Sequence, residues 1–128
     1  MKIAKFNKYK AKKIETKDGK FASQLEFRKW SELLLMQNAG LISNLRRQVK
    51  IKLGHKVSYI ADFVYYDIEK LSLVIADAKG VETKDFRVKK EWLLEKYRGF
   101  KFRTIYKDSE KWENPYETAD LFIQSVLN

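Results

Sequence analysis

The chain has 128 residues, 45% of them hydrophobic and 14% aromatic, enough to build one packed domain and too apolar for a disordered chain. It has no cysteine and one histidine, His55, which excludes disulfide frameworks, thiolate–zinc sites and multi-histidine metal sites, and no apolar run approaches bilayer-spanning length. Its net charge of +10 is lopsided: residues 1–50 hold 13 Lys and Arg against four acids, a net of +9, whereas residues 51–128 hold 14 against 13. A one-sided basic excess of this kind is the electrostatic footprint of a nucleic-acid binder.

Residues 1–20 carry Lys2, Lys5, Lys8, Lys10, Lys12, Lys13, Lys17 and Lys20 and read as a basic N-terminal arm, partly mobile, that ends in a short hairpin or loop with a turn at Asp18-Gly19. Two uses fit it, a solvated tail or a DNA-contacting arm. Residues 22–38 read as a helix, with Leu25, Leu33 and Met36 at helical spacing, Ser23 as N-cap, Glu26 in the capping-box position and Gly40 as the stop. Residues 46–53 alternate, with Arg47, Val49, Ile51 and Leu53 on one face and Gln48, Lys50 and Lys52 on the other, as in a half-exposed strand. Strands follow at 57–66 and 71–79, joined by the turn at 67–70. A second helix is expected at 84–97, a fourth strand at 101–106, and a helix opening at Asn114-Pro115 inside an acidic C-terminal extension, 107–128. No linker divides the chain.

Two stretches carry chemistry. Asp62 lies in Tyr-Ile-Ala-Asp-Phe-Val; Asp77 and Lys79 lie in Val-Ile-Ala-Asp-Ala-Lys-Gly. Both read as apolar strands, where a charge is costly unless it is used or paired. Asp77 and Lys79, two apart, share a face. If the strands pair through the turn at 67–70, Asp62 falls opposite Asp77 and shares its face with Ile60 and Val64. Two carboxylates so placed repel each other, and a divalent cation between them relieves the repulsion. The oxygen-only donor set suits magnesium, with manganese as a substitute. The carbonyl of Ala78, between the two key side chains, is a natural further ligand, and Gly80 lets a substrate backbone come close. The plainer reading is that Asp77 and Lys79 pair at a strand end while Asp62 accepts backbone hydrogen bonds.

The run Ala61-Asp62, followed 15 residues later by Asp77-Ala78-Lys79, resembles the PD-(D/E)XK nuclease superfamily, with alanine in place of the usual proline and aspartate where glutamate is commoner. More of the chain is similar to a small phage-encoded branch of that superfamily. The similar runs are Lys8-Tyr9-Lys10-Ala11-Lys12-Lys13, Phe21-Ala22-Ser23-Gln24-Leu25-Glu26, Ala39-Gly40-Leu41-Ile42, Tyr59-Ile60-Ala61-Asp62-Phe63 and Asp77-Ala78-Lys79-Gly80-Val81-Glu82-Thr83, continuing to Phe86-Arg87-Val88-Lys89-Lys90. The resemblance implies an α/β restriction-endonuclease-like αβββαβ core over residues 21–106, a central mixed sheet flanked by helices, with a C-terminal helix added.

It also implies that Glu26, Asp62 and Asp77, with the Ala78 carbonyl, bind Mg2+ and that Lys79 assists the attacking water. Glu26 as a simple capping residue is the alternative. Phosphate contacts are expected from Lys8, Lys10, Lys12 and Lys13 of the arm and from Lys84, Arg87, Lys89 and Lys90 of the second helix, unless those are solvated surfaces. Gln48 is a lesser candidate for the site. Trp30, Trp92 and Trp112 suit a core or interface, and His55 suits a surface turn.

The function so implied is a metal-dependent DNA endonuclease, a homodimeric phage Holliday-junction or branched-DNA resolvase acting in the host cytoplasm. No membrane partner and no small-molecule cofactor is expected. Other nucleases of the superfamily (nicking, restriction-type or recombination exonuclease) would keep the same four residues, and a non-catalytic DNA-binding protein on the same fold would lack only the cutting.

Overall fold

The computed structural model describes residues 3–6 and 12–114. Its elements are β1 (Ile3–Phe6), β2 (Lys12–Thr16), β3 (Gly19–Phe21), α1 (Gln24–Asn38), β4 (Ile42–Lys52), β5 (Ser58–Asp67), β6 (Ser72–Ala78), α2 (Lys84–Lys96), β7 (Phe100–Ile105) and β8 (Glu110–Glu113). From α1 to β7 the order is αβββαβ, as expected. The central sheet runs β4-β5-β6-β7-β8; β6 and β7 are parallel and the other pairs antiparallel, so the sheet is mixed. The parallel pair requires a crossover, which α2 provides.

Local chemistry sets the helix ends. Ser23 Oγ accepts the Glu26 N–H at 3.1 Å at the start of α1. At its end Gly40, at φ +79°, permits a left-handed turn; its N–H donates to Gln37 O, and the Leu41 N–H donates to Met36 O, a Schellman arrangement. Thr83 caps α2 in the same way, accepting from Phe86 N.

Two apolar layers sandwich the sheet. On one side Leu33 of α1 packs with Ile42, Phe63, Tyr65, Val74, Ala76 and Ile105, with Trp30 at the margin. On the other, Phe86 and Leu93 of α2 pack with Leu53, Tyr59, Ala61, Val64, Ile75 and Phe102. Burying such side chains stabilises by about 1.5–3 kcal/mol each before chain entropy is charged against it.

Three expectations need correcting. The short hairpin expected at the end of the basic arm is there as β2–β3, but it belongs to a larger unit: β1, β2 and β3 form a separate antiparallel sheet, in which Ile14 and Phe21 are buried. The turn between β2 and β3 is Lys17-Asp18, one residue earlier than expected, because Gly19 already pairs with Thr16 as the first residue of β3. Residues 110–113 form an edge strand, β8, against β7; the helix expected beyond Asn114 lies outside the described residues. Finally, the alternation of β4 and β5 is not continuous. Leu45 and Arg47 face the α1 layer, Arg47 lying 3.8 Å over the Phe21 ring, whereas Val49 and Ile51 pack in the α2 layer. Across the ladder, Phe63 and Tyr65 belong to the α1 layer but Tyr59 and Ala61 to the α2 layer. The odd-numbered residues therefore change sides between 47 and 49 and, opposite, between 61 and 63. Gln48, with φ +52°, sits at the change on β4, and the flanking pairs Arg47–Phe63 and Val49–Ala61 set it opposite Asp62. A non-glycine residue at positive φ is uncommon and strained, and here it reverses the facing of the strand. Asp62 consequently does not continue a face shared with Val64, which lies in the α2 layer.

Candidate active site

The change of facing creates the site. The β5–β6 ladder runs from Asp67–Ser72 to Phe63–Ala76; one step further, the same register sets Asp62 against Asp77. There side chains replace ladder bonds. The Asp62 N–H donates to Asp77 Oδ1 at 3.1 Å, and the Ala78 N–H donates to Asp62 Oδ2 at 2.9 Å. Gln48 Nε2 donates to Asp62 Oδ1 at 3.1 Å and to Glu26 Oε1 at 3.0 Å, linking strand and helix. Glu26 Oε2 accepts from the Ala22 N–H at 3.3 Å, a variant of the capping box shifted by one residue. Glu26 is thus both cap and site residue. The structure brings Glu26, Asp62, Asp77 and Lys79 together, with Gln48 as the connecting amide.

Burial gives these groups unusual acidity. Asp77 is wholly buried, and desolvation pushes its pKa up to about 7; Lys79 and the Asp62 N–H pull it down, and the charge of Glu26 pushes it further up. Burial raises Asp62 too, against the Ala78 N–H, Lys79, Gln48 and Arg47. Glu26 is raised by burial and by the charge of Asp62, against the Ala22 N–H and Arg47. Asp77 Oδ2 is buried with no hydrogen-bond partner. Lys79 Nζ lies 3.9 Å from Asp77 Oδ1 and 4.4 Å from the Phe86 ring centroid, which fixes it over α2 beside the acid.

Among the described residues, no three acidic or histidine side chains already converge as a cation cage. Yet the donor set suits a divalent cation: three neighbouring carboxylates, all held reluctant to ionise, with one buried oxygen unpartnered.

Arg47 was not foreseen as a site residue. Its guanidinium donates to the carbonyls of Asp18 and Lys20, lies over Phe21, and stands 3.6 Å from Glu26 Oε1. The signal was available: an arginine on the apolar side of an alternating strand must find a carboxylate or an aromatic face.

The basic residues expected to hold phosphates divide. Lys8 and Lys10 lie outside the described residues, Lys12 opens β2, and Lys13 is exposed. Lys84 and Arg87 are exposed at the start of α2, and Lys89 pairs with Asp85 at 3.3 Å. Lys90 corrects the expectation: it is only 7% exposed and bonds Glu113 at 2.9 Å, tying α2 to β8, and so is not free to meet a phosphate. Trp30, stacked near Phe63, and Trp112, under Lys70, pack against the α1-side core; Trp92 is exposed beside Gly54, and His55 is exposed in its turn.

Residues 6–114 match the model of the family described as "Protein of unknown function (DUF1064)", and the chain belongs to that family. No curated protein and no solved structure matches it. Among the described residues no helix is long and apolar enough to cross a membrane.

Proposed function

We propose that this DUF1064 protein is a magnesium-dependent DNA endonuclease with a restriction-endonuclease-like core, and that it cuts branched DNA as a homodimer. One observation carries the reading: a buried aspartate with an unpartnered oxygen, joined to a second aspartate on the neighbouring strand and through Gln48 to a helical glutamate, with a lysine alongside. Three acids of raised pKa are an unstable arrangement for structure alone, and perturbed acids cluster where function needs them. The αβββαβ order and the net charge of +10 agree with it.

In this reading Glu26, Asp62 and Asp77, with the carbonyl of Ala78, hold Mg2+, which when bound supplies Lewis acidity and a bound water of lowered pKa. The protein's own groups do the rest. Gln48 fixes the Glu26 and Asp62 oxygens relative to each other, and Arg47 steadies Glu26 from the far side. Lys79 holds its ammonium beside Asp77, where it orients the water and offsets negative charge gathering on phosphorus. Water gives up one proton as its oxygen bonds to phosphorus, the P–O bond to the leaving strand breaks, and the leaving oxygen takes up one proton, so the proton count balances. Structure-selective cutting depends on backbone contacts more than base contacts, which suits a small basic chain. Two symmetric cuts at a junction call for two copies.

The test incubates the protein with labelled four-way junction, flap, single-stranded and linear duplex DNA, with Mg2+, Mn2+ or EDTA. Paired symmetric cuts confined to the junction, lost with EDTA and in Asp77→Asn, are expected. Metal-dependent cutting of other forms keeps the nuclease and removes the resolvase. Binding without cutting of any form leaves a non-catalytic DNA-binding protein.

A further inference from the structure

Beyond Gln48 the β4–β5 ribbon outruns α1. The helix lies along β4 from Leu45, whose N–H donates to Gln37 Oε1, to Gln48, which reaches Glu26 in the first helical turn. Past that point one face of the ribbon is packed and the other is bare. Val49, Ile51, Leu53, Tyr59 and Ala61 join the α2 layer, and Tyr97 and Lys96 of that layer donate to the Lys52 and Leu53 carbonyls. Lys50, Lys52 and Ile60 face away, all exposed, Ile60 by 58%.

The composition of this outer ribbon is one-sided. Residues 49–61 contain Lys50, Lys52 and Lys56 and no acid at all. Neither Lys50 nor Lys52 forms an ion pair among the described residues, whereas Lys29, Lys89, Lys90 and Lys111 each do. Across the ladder Lys50 stands against Ile60 and Lys52 against Ser58, so no neighbour on the strand neutralises them. Alternate side chains on a strand are about 7 Å apart, so Gln48, Lys50 and Lys52 form a line that starts at the carboxylates and leads outward.

We propose that this bare face is the track for the DNA backbone: Lys50 and Lys52 hold successive phosphates of a strand running to the carboxylate site, and Ile60 meets the sugar–base edge between them. This assigns the substrate-binding surface of the site described above and rests on its reading as a DNA-cutting centre. It differs from the contacts expected of the N-terminal lysines and α2. Charge complementarity selects the occupant. An acid-free cationic ribbon beside a cluster of acids repels other cations and attracts a polyanion that can then present a phosphate to the cluster.

The experiment measures DNA affinity over a series of NaCl concentrations, in EDTA so that nothing is cut. Wild type is compared with Lys50→Gln/Lys52→Gln, with the charge-keeping Lys50→Arg/Lys52→Arg, and with Lys70→Gln/Lys101→Gln, which removes two lysines at the opposite end of the sheet. Each phosphate contact contributes about 0.9 to the slope of log K against log salt, so the Gln pair at 50 and 52 should flatten it by about two. The Arg pair should restore the slope, and the distal pair should leave it unchanged. Equal flattening by both Gln pairs, no flattening by either, or no DNA binding by wild type would overturn the proposal. Cutting with Mg2+ is scored separately. A chain that binds through Lys50 and Lys52 yet never cuts keeps the track and loses the nuclease; one that cuts with an unaltered slope in the 50/52 variant does the reverse.

Discussion

Replacing Asp77 with asparagine is the sharpest probe of the site, because its effect on stability can be worked out before any activity is known. Asp77 has no exposed surface; Oδ1 accepts the Asp62 N–H and faces Lys79, while Oδ2 has no partner. Burial raises its pKa from 3.8 to about 7. A raised acid holds its proton more tightly in the folded state than in the unfolded one. Between those two values the native protein therefore binds more protons, and stability falls as pH rises; above about pH 7 the loss is complete. Each decade is worth about 1.4 kcal/mol, so the penalty at neutral pH is on the order of 4 kcal/mol. Asparagine keeps an acceptor for the Asp62 N–H and has no charge to desolvate. In EDTA, Asp77→Asn should thus be more stable than wild type by a few kcal/mol at about pH 8, the gap closing toward about pH 4. Burial also raises Glu26 and Asp62, so the variant keeps a weaker slope of the same sign. Denaturant titrations followed by tryptophan fluorescence across this pH range measure both proteins. Wild-type stability that is flat or rises from acid to neutral pH, or an asparagine variant that tracks wild type in parallel, would refute the reasoning.

Other outcomes follow from the same geometry. Adding Mg2+ near neutral pH should raise the melting temperature of wild type and leave Asp77→Asn almost unmoved, since ligand binding stabilises only a protein that can bind. At Gln48, with φ +52°, glycine should be about 1 kcal/mol more stable than alanine by equilibrium unfolding, and both should lose cutting while retaining DNA binding. Gly19→Ala should destabilise by about 1–3 kcal/mol, because φ is +113° and the new methyl would lie 2.8 Å from an Arg47 nitrogen; an unchanged melting temperature would count against Arg47 as the tie to the N-terminal sheet. Glu113→Ala should cost more stability than Lys90→Met, since the first strands a buried ammonium and the second leaves a partly exposed carboxylate.

What the sequence revealed and what it hid have physical reasons. The helix caps at Ser23 and Gly40 were legible because capping depends on residue type at a fixed offset. The meeting of Asp62 and Asp77 was legible because one short turn fixes a hairpin register. The reversal at Gln48 was not: the rule of alternating faces assumes continuous extended backbone, and nothing marks a glutamine that will adopt positive φ. It misplaced Arg47 relative to Val49 and Asp62 relative to Val64. Lys90 looked solvated because a helical run of lysines does not show which one points inward, and its partner Glu113 lies on a strand too charged to be recognised as one. Of the first sheet only the closing hairpin was legible, from Asp18-Gly19; its extent was hidden because the lysines between Ile3, Ile14 and Phe21 outweigh a weak alternation.

The reversal at Gln48 has a mechanical side. The inner half of the β4–β5 ribbon meets α1 through Leu45, Phe63 and Tyr65, with Val64 turned to the other side, and the outer half meets α2. The ribbon thus passes from one helical layer to the other, and its crossing point is Gln48 and Asp62. Both helices therefore bear on the carboxylates at once: Gln48 ties Asp62 to Glu26 on α1, and Lys79 beside Asp77 rests on Phe86 of α2, so repacking either helix shifts one side of the same site.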